Sequence, residues 1–275
     1  MVQGFKSFTT AEAISKGFRE NDDKQSGQHS VANTPQITYF DNIALGNVPG
    51  TAIQPVATNG TVGEGAANEQ VVGDGMTTRY PFPLAAAQMT VVSTSANDDV
   101  AGTGARVLLI RGNITDNIEL FEVVPLSGTT PVTTTNEYLR VNSIGVVSIG
   151  STKKNEGTIT LKNGSELLAQ VEIGTNLSHT AIFSIPANTT GLFRRASIFT
   201  GKDDNATVSF HSFEPELNLI DFHAFSQSTY LNQINLEFLP FAIVAGADIE
   251  LTAYSQEGTG DSQVGIIFDM LLIDD

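Results

Sequence analysis

From Arg79 onward the chain is written as short apolar runs punctuated by turns. That alternation narrows what it can fold into more than any other feature. Thirteen runs read as strands: 89–94, 106–112, 117–124, 137–150, 157–164, 166–174, 180–188, 192–201, 206–214, 217–225, 230–239, 245–255 and 263–273. Gly, Asn, Asp, Ser and Pro cluster between them, as turns require. Parallel strands would need helix-length crossovers, and no such segment separates these runs. The expectation is therefore all-β: an antiparallel, jelly-roll-like β-sandwich over residues 84–275, with room for a division into two sub-sandwiches near 164–166.

Two runs show the period of two that strands impose. Ala247, Ile249, Leu251 and Ala253 share one face, and Asp248, Glu250, Thr252 and Tyr254 the other, which predicts a half-buried strand. In the last run Ile266, Phe268, Met270 and Leu272 share one face, while Ile267, Leu271 and Ile273 fall on the other. A strand apolar on both sides is covered on both sides, either inside a sheet or against another subunit. The glycine-bearing stretch "SQEGTGDS" (255–262) reads as a hairpin loop between these two strands.

Residues 1–83 read differently, as an extended N-terminal arm with a short helix. Thr9 and Glu12 form a capping box, followed by Ala11, Ile14 and Phe18 at helical spacing. "ITYFDNIAL" (37–45) reads as a strand. Residues 46–75 are rich in Gly, Pro and small polar side chains and predict no packed element. They are either a surface segment or an arm ordered by a neighbouring subunit, with anchors at Val48, Ile53, Val56, Val71 and Val72.

Composition removes several classes of function. The 275 residues carry no cysteine, which excludes disulfides, thiol chemistry and cysteine-ligated metals. The formal charge is −16, and the 14 Lys and Arg do not cluster, so neither nucleic acid nor membrane is expected as a partner. No apolar run approaches the ~20 residues of a membrane helix, and no secretory signal pattern is visible at the N-terminus.

Motif by motif, the sequence offers little chemistry. In "AGTGARVLLI" (101–110) Gly102 and Gly104 mimic a phosphate-cradling loop, but Val107 stands where a third glycine belongs and a strand follows instead of a helix. A turn feeding a strand is the expectation. His211, Glu214, Glu216, Asp221 and His223 lie close in sequence and could form a divalent-metal site, against the plainer reading of histidines on strand surfaces; no fixed ligand motif supports the metal. The acidic turns 95–104 and 201–207 lack the calcium-loop pattern. Arg194-Arg195 reads as an exposed pair at a strand edge. No G-x-S-x-G elbow is present, and 30 acidic residues single out no carboxylate pair. No catalytic, cofactor-binding or metal residue is expected, and no cofactor.

The stretch 90–161 resembles a module recurring in virion structural proteins of tailed bacteriophages. The likeness rests on Val92-Ser93-Thr94-Ser95-Ala96-Asn97-Asp98, on Gly102-Thr103-Gly104-Ala105-Arg106, on the run from Leu126 to Asn136 ("LSGTTPVTTTN") and on Arg140-Val141-Asn142. It covers about a quarter of the chain. The last two strands are similar in style to those closing viral jelly rolls. The resemblance implies a particle component without enzymatic activity. The expected function is a homotrimeric capsid decoration (cement) protein on the capsid surface of the virion, made in the host cytoplasm. Its partners would be further copies of itself and the major capsid protein. Capsid contact is assigned to Phe5, Phe8, Ile14, Phe18, Tyr39 and Phe40, and self-association to Ile267, Leu271 and Ile273. The alternative is a tail, baseplate or head-fibre module that binds a host receptor or glycan through loops such as 58–75 or 255–262.

Overall fold

The computed structural model describes residues 39–201, 204–214, 219–225, 233–256 and 260–275. The chain divides into two units, Met1–Asn47 and Val48–Asp275. In the first, α1 (Tyr39–Ala44) replaces the strand expected over 37–45. Asp41-Asn42 interrupt the alternation that a strand needs, and the helix closes in a Schellman motif. Gly46, at φ +72°, gives its N–H to Ile43 O (2.8 Å), and Asn47 N–H reaches Asn42 O (2.8 Å). The capping-box helix around Thr9 and Glu12 lies outside the described residues.

The second unit is all-β. Its strands are β1 (Thr51–Val62), β2 (Gln70–Val71), β3 (Ala87–Ser93), β4 (Ala105–Asn113), β5 (Glu119–Pro125), β6 (Val132–Tyr138), β7 (Arg140–Ile149) and β8 (Ile159–Asn163). There follow β9 (Glu166–Val171), β10 (Ile182–Ser184), β11 (Thr189–Thr200), β12 (Ala206–Glu214), β13 (Leu219–Phe225), β14 (Gln233–Ile243), β15 (Asp248–Ser255) and β16 (Ser262–Asp274). Each of the thirteen sequence-derived runs overlaps a strand, although 180–188 holds only the three residues of β10 and 137–150 is β7 preceded by the last two residues of β6. Every strand pair is antiparallel.

These strands make four sheets, where the sequence suggested a β-sandwich over 84–275 with room for two sub-sandwiches divided near 164–166. The orders are β1-β16-β11-β14, then β10-β15-β12-β13 with β2 beside β15, then β6-β3-β8-β9, and β5-β4-β7. Residues 46–75 were expected to hold no packed element, yet Thr51 to Val62 pairs residue for residue with β16, from Thr51 opposite Ile273 to Val62 opposite Ser262. Its inward residues are small (Val56, Thr58, Gly60, Val62), so they raise little apolar signal while closing the sheet over the core. Residues 84–275 are thus not a self-contained sandwich, because the sheet that holds the C-terminal strand begins at Thr51.

A second difference follows from the same sheet. β15 and β16 do not form a hairpin. β15 lies between β10 and β12, and β16 between β1 and β11, so the two strands belong to different sheets. The two sheets pack face to face. Phe193 of β11 meets Phe210 of β12 edge-on at 4.6 Å and stacks on Phe268 of β16 at 5.7 Å. All three rings are essentially closed to water. One continuous hydrophobic core runs from Val62 through Met89, Leu108 and Ile144 to Phe268 and Met270, so it joins all four sheets.

Candidate functional site

The outward face of the β1-β16-β11-β14 sheet is ordered in rows, because residues opposite one another in antiparallel strands share a face. Thr51, Ile273 and Thr190 form one row; Ile53, Leu271 and Leu192 the next; then Pro55, Asp269 and Arg195; then Ala57, Ile267 and Ser197. Ile267 is 47% exposed, Ile53, Leu192 and Ile273 are half-buried, and Leu271 is buried. The face therefore mixes aliphatic and polar positions, and Asp269 and Arg195 stand opposite one another within it. Arg195 Nε donates to Asp269 Oδ2 at 2.8 Å. The Arg195 side chain is 66% exposed and that of Asp269 only 9%. The other oxygen, Asp269 Oδ1, is shut off from water and has no hydrogen-bond partner.

This places the three residues assigned to self-association on one face, with Leu271 already largely covered by the chain itself. Of the six assigned to capsid contact, Phe5, Phe8, Ile14 and Phe18 lie outside the described residues. Tyr39 and Phe40 stand in the first turn of α1. Arg195 is not at a sheet edge as expected, since β11 runs between β16 and β14.

The polar face of β15 departs furthest from its sequence reading. Asp248, Glu250 and Thr252 were expected on the open side of a half-buried strand, but all three are buried. The segment between β2 and β3, together with β7, covers them with matching cations. Arg140 of β7 bonds Asp248 through Nε (2.9 Å to each oxygen) and Nη2 (2.8 Å). It also donates from Nη1 to the carbonyls of Pro83 (2.5 Å) and Leu139 (2.9 Å). Ser184 Oγ adds a 2.5 Å bond to Asp248. Arg79 donates to Glu250 Oε2 from Nε (2.8 Å) and Nη2 (2.5 Å), and Tyr80 N–H to Oε1 (2.7 Å). Thr252 donates to Glu69 and meets His211 Nε2 at 2.9 Å. The result is a polar seam in which β7 and the 72–86 segment are keyed to β15.

A cavity of about 340 Å³ opens beside the seam, lined by Arg79, Tyr80, Phe82, Leu84, His211, Phe213, Asp248 and Glu250. Its walls are aromatic and aliphatic. Its carboxylates are already committed to Arg140, Ser184, Arg79 and Tyr80 N–H, so the cavity's polar groups hold the chain together and leave no free acid–base pair. Phe82, between two prolines, sits at φ +43° and packs edge-on against Tyr80 at 4.9 Å, with the Arg140 guanidinium 5.4 Å from its ring centre.

The glycine-rich turn is a closed structural device. Asp98, with no exposed surface, accepts from Ser93 Oγ (2.6 Å) and from the N–H groups of Ala105 (2.8 Å), Glu156 (2.9 Å) and Gly157 (2.8 Å). A Cβ at Gly104 would overlap Asp98 Oδ1, and one at Gly102 the Asn97 carbonyl. These glycines admit close approach of a carboxylate that the protein supplies itself, and β4 begins at the next residue. The turn expected from the sequence is present.

Among the histidines, β12–β13 register sets His211 opposite Phe222 and Phe210 opposite His223, so His211 and His223 are not cross-strand neighbours. No cluster of three or more His, Cys, Asp or Glu suited to a metal occurs among the described residues. Burial, joined by the charge of Arg79, pushes His211 below the usual imidazole range. His179 is raised, chiefly by its 2.9 Å hydrogen bond to Asp74 Oδ2. Burial opposes ionisation of Glu122, yet donors from Thr135 N–H (2.6 Å), Asn136 (3.1 and 2.9 Å) and Tyr138 (3.2 Å) outweigh it and lower the carboxyl. No helix among the described residues is long and apolar enough to cross a membrane.

No protein-family model matches the chain. No curated protein matches it either. Among solved structures it is similar to infectious bursal disease virus of the Gx strain, with 10% identity over 86% of this chain and 78% of that one, at a TM-score of 0.25. A VP2 subviral particle of the same virus gives 8% identity over 82% and 77%, at 0.20. Its T13 viral particle gives 9% over 82% and 74%, at 0.21. Values this low establish neither a shared fold nor a shared role.

Proposed function

We propose that this chain is a non-enzymatic structural protein of a bacteriophage virion, a capsid decoration (cement) subunit that assembles as a homotrimer. Within that reading, β1-β16-β11-β14 and β10-β15-β12-β13 are the two sheets of an eight-stranded jelly roll. The segment between β2 and β10 is then an insertion, with β3 to β9 forming a smaller two-sheet unit. The likeness of 90–161 to phage virion modules supports the particle assignment. The observation that carries the proposal is the outward face of β16, where a central strand keeps Ile267, Leu271 and Ile273 on the side away from its own core. Burial of that face between copies would supply the driving force at ~25 cal/mol per Å², and avidity over several contacts would hold a subunit on a lattice.

Two measurements test it. Sedimentation of the purified chain should show a closed oligomer at micromolar concentration, with Ile267→Lys shifting it to monomer and leaving unchanged the unfolding midpoint measured at dilutions where both are monomeric. In electron cryo-microscopy of assembled particles, copies should be spread over the whole shell. A persistent monomer refutes the assembly, and copies confined to one vertex or to the tail refute the cement role.

A further inference from the structure

The cavity beside the polar seam combines apolar walls with a donor that the seam does not use. Its volume is about 340 Å³, and Tyr80, Phe82, Leu84 and Phe213 supply its apolar lining. An apolar cavity of ~150 Å³ holds benzene, so this one has room for about two fused rings. Leu84 is 98% exposed while lining it, which puts an unshielded aliphatic side chain at the mouth. Phe82 is fixed as a wall. It sits at φ +43° between Pro81 and Pro83, a backbone conformation that a phenylalanine adopts only where its surroundings impose it. Its ring is braced by Tyr80 at 4.9 Å and by the Arg140 guanidinium at 5.4 Å.

The charges around the cavity are balanced. Asp248 and Glu250 are answered by Arg140 and Arg79, and burial and the Arg79 charge disfavour the protonated form of His211. An ionised ligand would lose its hydration there and meet no unpaired countercharge. One donor is left over. Arg79 gives Nε and Nη2 to Glu250 Oε2, and no bond among the described residues occupies its Nη1. Its side chain is 41% exposed.

We infer that this cavity binds a compact, uncharged two-ring aromatic ligand that carries one acceptor oxygen. The rings lie against Phe82, Phe213 and Leu84, and the oxygen accepts from Arg79 Nη1. Apolar walls with a few placed polar groups are the general pattern of small-molecule sites. The site retains its ligand and does not transform it, because both of its carboxylates are committed to the chain itself. It lies within one chain, so it stands apart from the assembly reading, and neither result decides the other.

The probe is 2-naphthol, with naphthalene as the same rings without the oxygen. The chain has no tryptophan, so naphthol fluorescence excited above the tyrosine band reads binding directly. 2-Naphthol should saturate the full chain at one molecule per chain. Phe82→Gly removes the ring and leaves the positive φ accessible. Leu84→Asp places a charge at the mouth, at a position too exposed to upset folding. Each should weaken 2-naphthol roughly tenfold or more, as loss of apolar pocket contact does. Arg79→Lys keeps a cation beside Glu250 but gives up the second terminal nitrogen. It should weaken 2-naphthol roughly threefold or more, the value of one hydrogen bond, and leave naphthalene unchanged. Absence of saturable binding to the wild-type chain overturns the inference. So does binding that Phe82→Gly and Leu84→Asp each weaken by less than about twofold, since either variant alone should exceed that. Equal losses for the two probes in Arg79→Lys overturn the role given to the acceptor oxygen.

Discussion

Breaking the Arg140–Asp248 pair should cost more than any surface change in this protein. The two side chains are 7% and 1% exposed, and Arg140 gives Asp248 contacts of 2.8 to 2.9 Å from two nitrogens. Arg140→Leu leaves Asp248 buried with Ser184 Oγ as its remaining side-chain partner and strands the carbonyls of Pro83 and Leu139. Removing one partner of a buried pair costs ~3–5 kcal/mol. With a urea m-value of ~2–3 kcal/mol/M for a unit of this size, the midpoint should fall by ~1–2 M. The double variant Arg140→Leu with Asp248→Leu removes both charges, and much of the lost stability should return, since an apolar pair of similar volume often matches a buried ion pair. Urea unfolding followed by circular dichroism and intrinsic tyrosine fluorescence reads all four corners of the cycle. A single-variant loss below ~1 kcal/mol, the value of an exposed pair, would refute the claim that the seam is desolvated. A double variant no better than Arg140→Leu would show that the lost carbonyl bonds, not the stranded charge, dominate.

Two further outcomes follow from buried and titrating groups. Asp98→Ala strips four donors of their acceptor in one closed turn and should destabilise by ~3–5 kcal/mol, at 1–3 kcal/mol per stranded buried group and allowing for partial rescue by water; a loss under ~1 kcal/mol in urea unfolding contradicts the closed-turn reading. The His179 pKa is raised above 6.5, so its bond to Asp74 adds stability that is full below pH 6.5 and is lost as pH rises through the folded value. The stability gap between wild type and His179→Gln should therefore be wider at pH 5.5 than at pH 8.5, and a gap that is equal or reversed removes the ion pair from the account.

Strand placement was legible because it depends on period and turn chemistry, which sequence records directly. The runs from Met89 to Ile273 declared themselves this way. β1 did not, because Ala52, Gln54, Ala57 and Gly60 dilute its alternation; it is a strand because β16 offers twelve consecutive partners, and that is tertiary information. β6, "VTTTNEY", was missed for a related reason. It is mostly polar, and the N–H groups of Thr135 and Asn136 are satisfied by the Glu122 carboxylate in place of a neighbouring strand. Nor could local pattern reveal the hairpin error at 255–262. A loop of that length fits a hairpin and a crossing between sheets equally well, and only the pairing of β16 with β1 and β11 decides between them.

Asp248 and Asp269 show where sequence stops informing about the site. Each is an acid on a strand beside strongly apolar neighbours, and by alternation each points away from the hydrophobic face of its strand. In the fold the first is buried because Arg140, brought from 108 residues away, bonds both of its oxygens and is itself held by the carbonyls of Pro83 and Leu139. The second is also buried, and its cation, Arg195, is turned mostly to solvent. One carboxylate has been answered within the chain and the other has not. A desolvated carboxylate with an unanswered oxygen is costly in isolation, and the mostly exposed Arg195 beside Asp269 offsets less of that cost than the buried guanidinium of Arg140 does at Asp248.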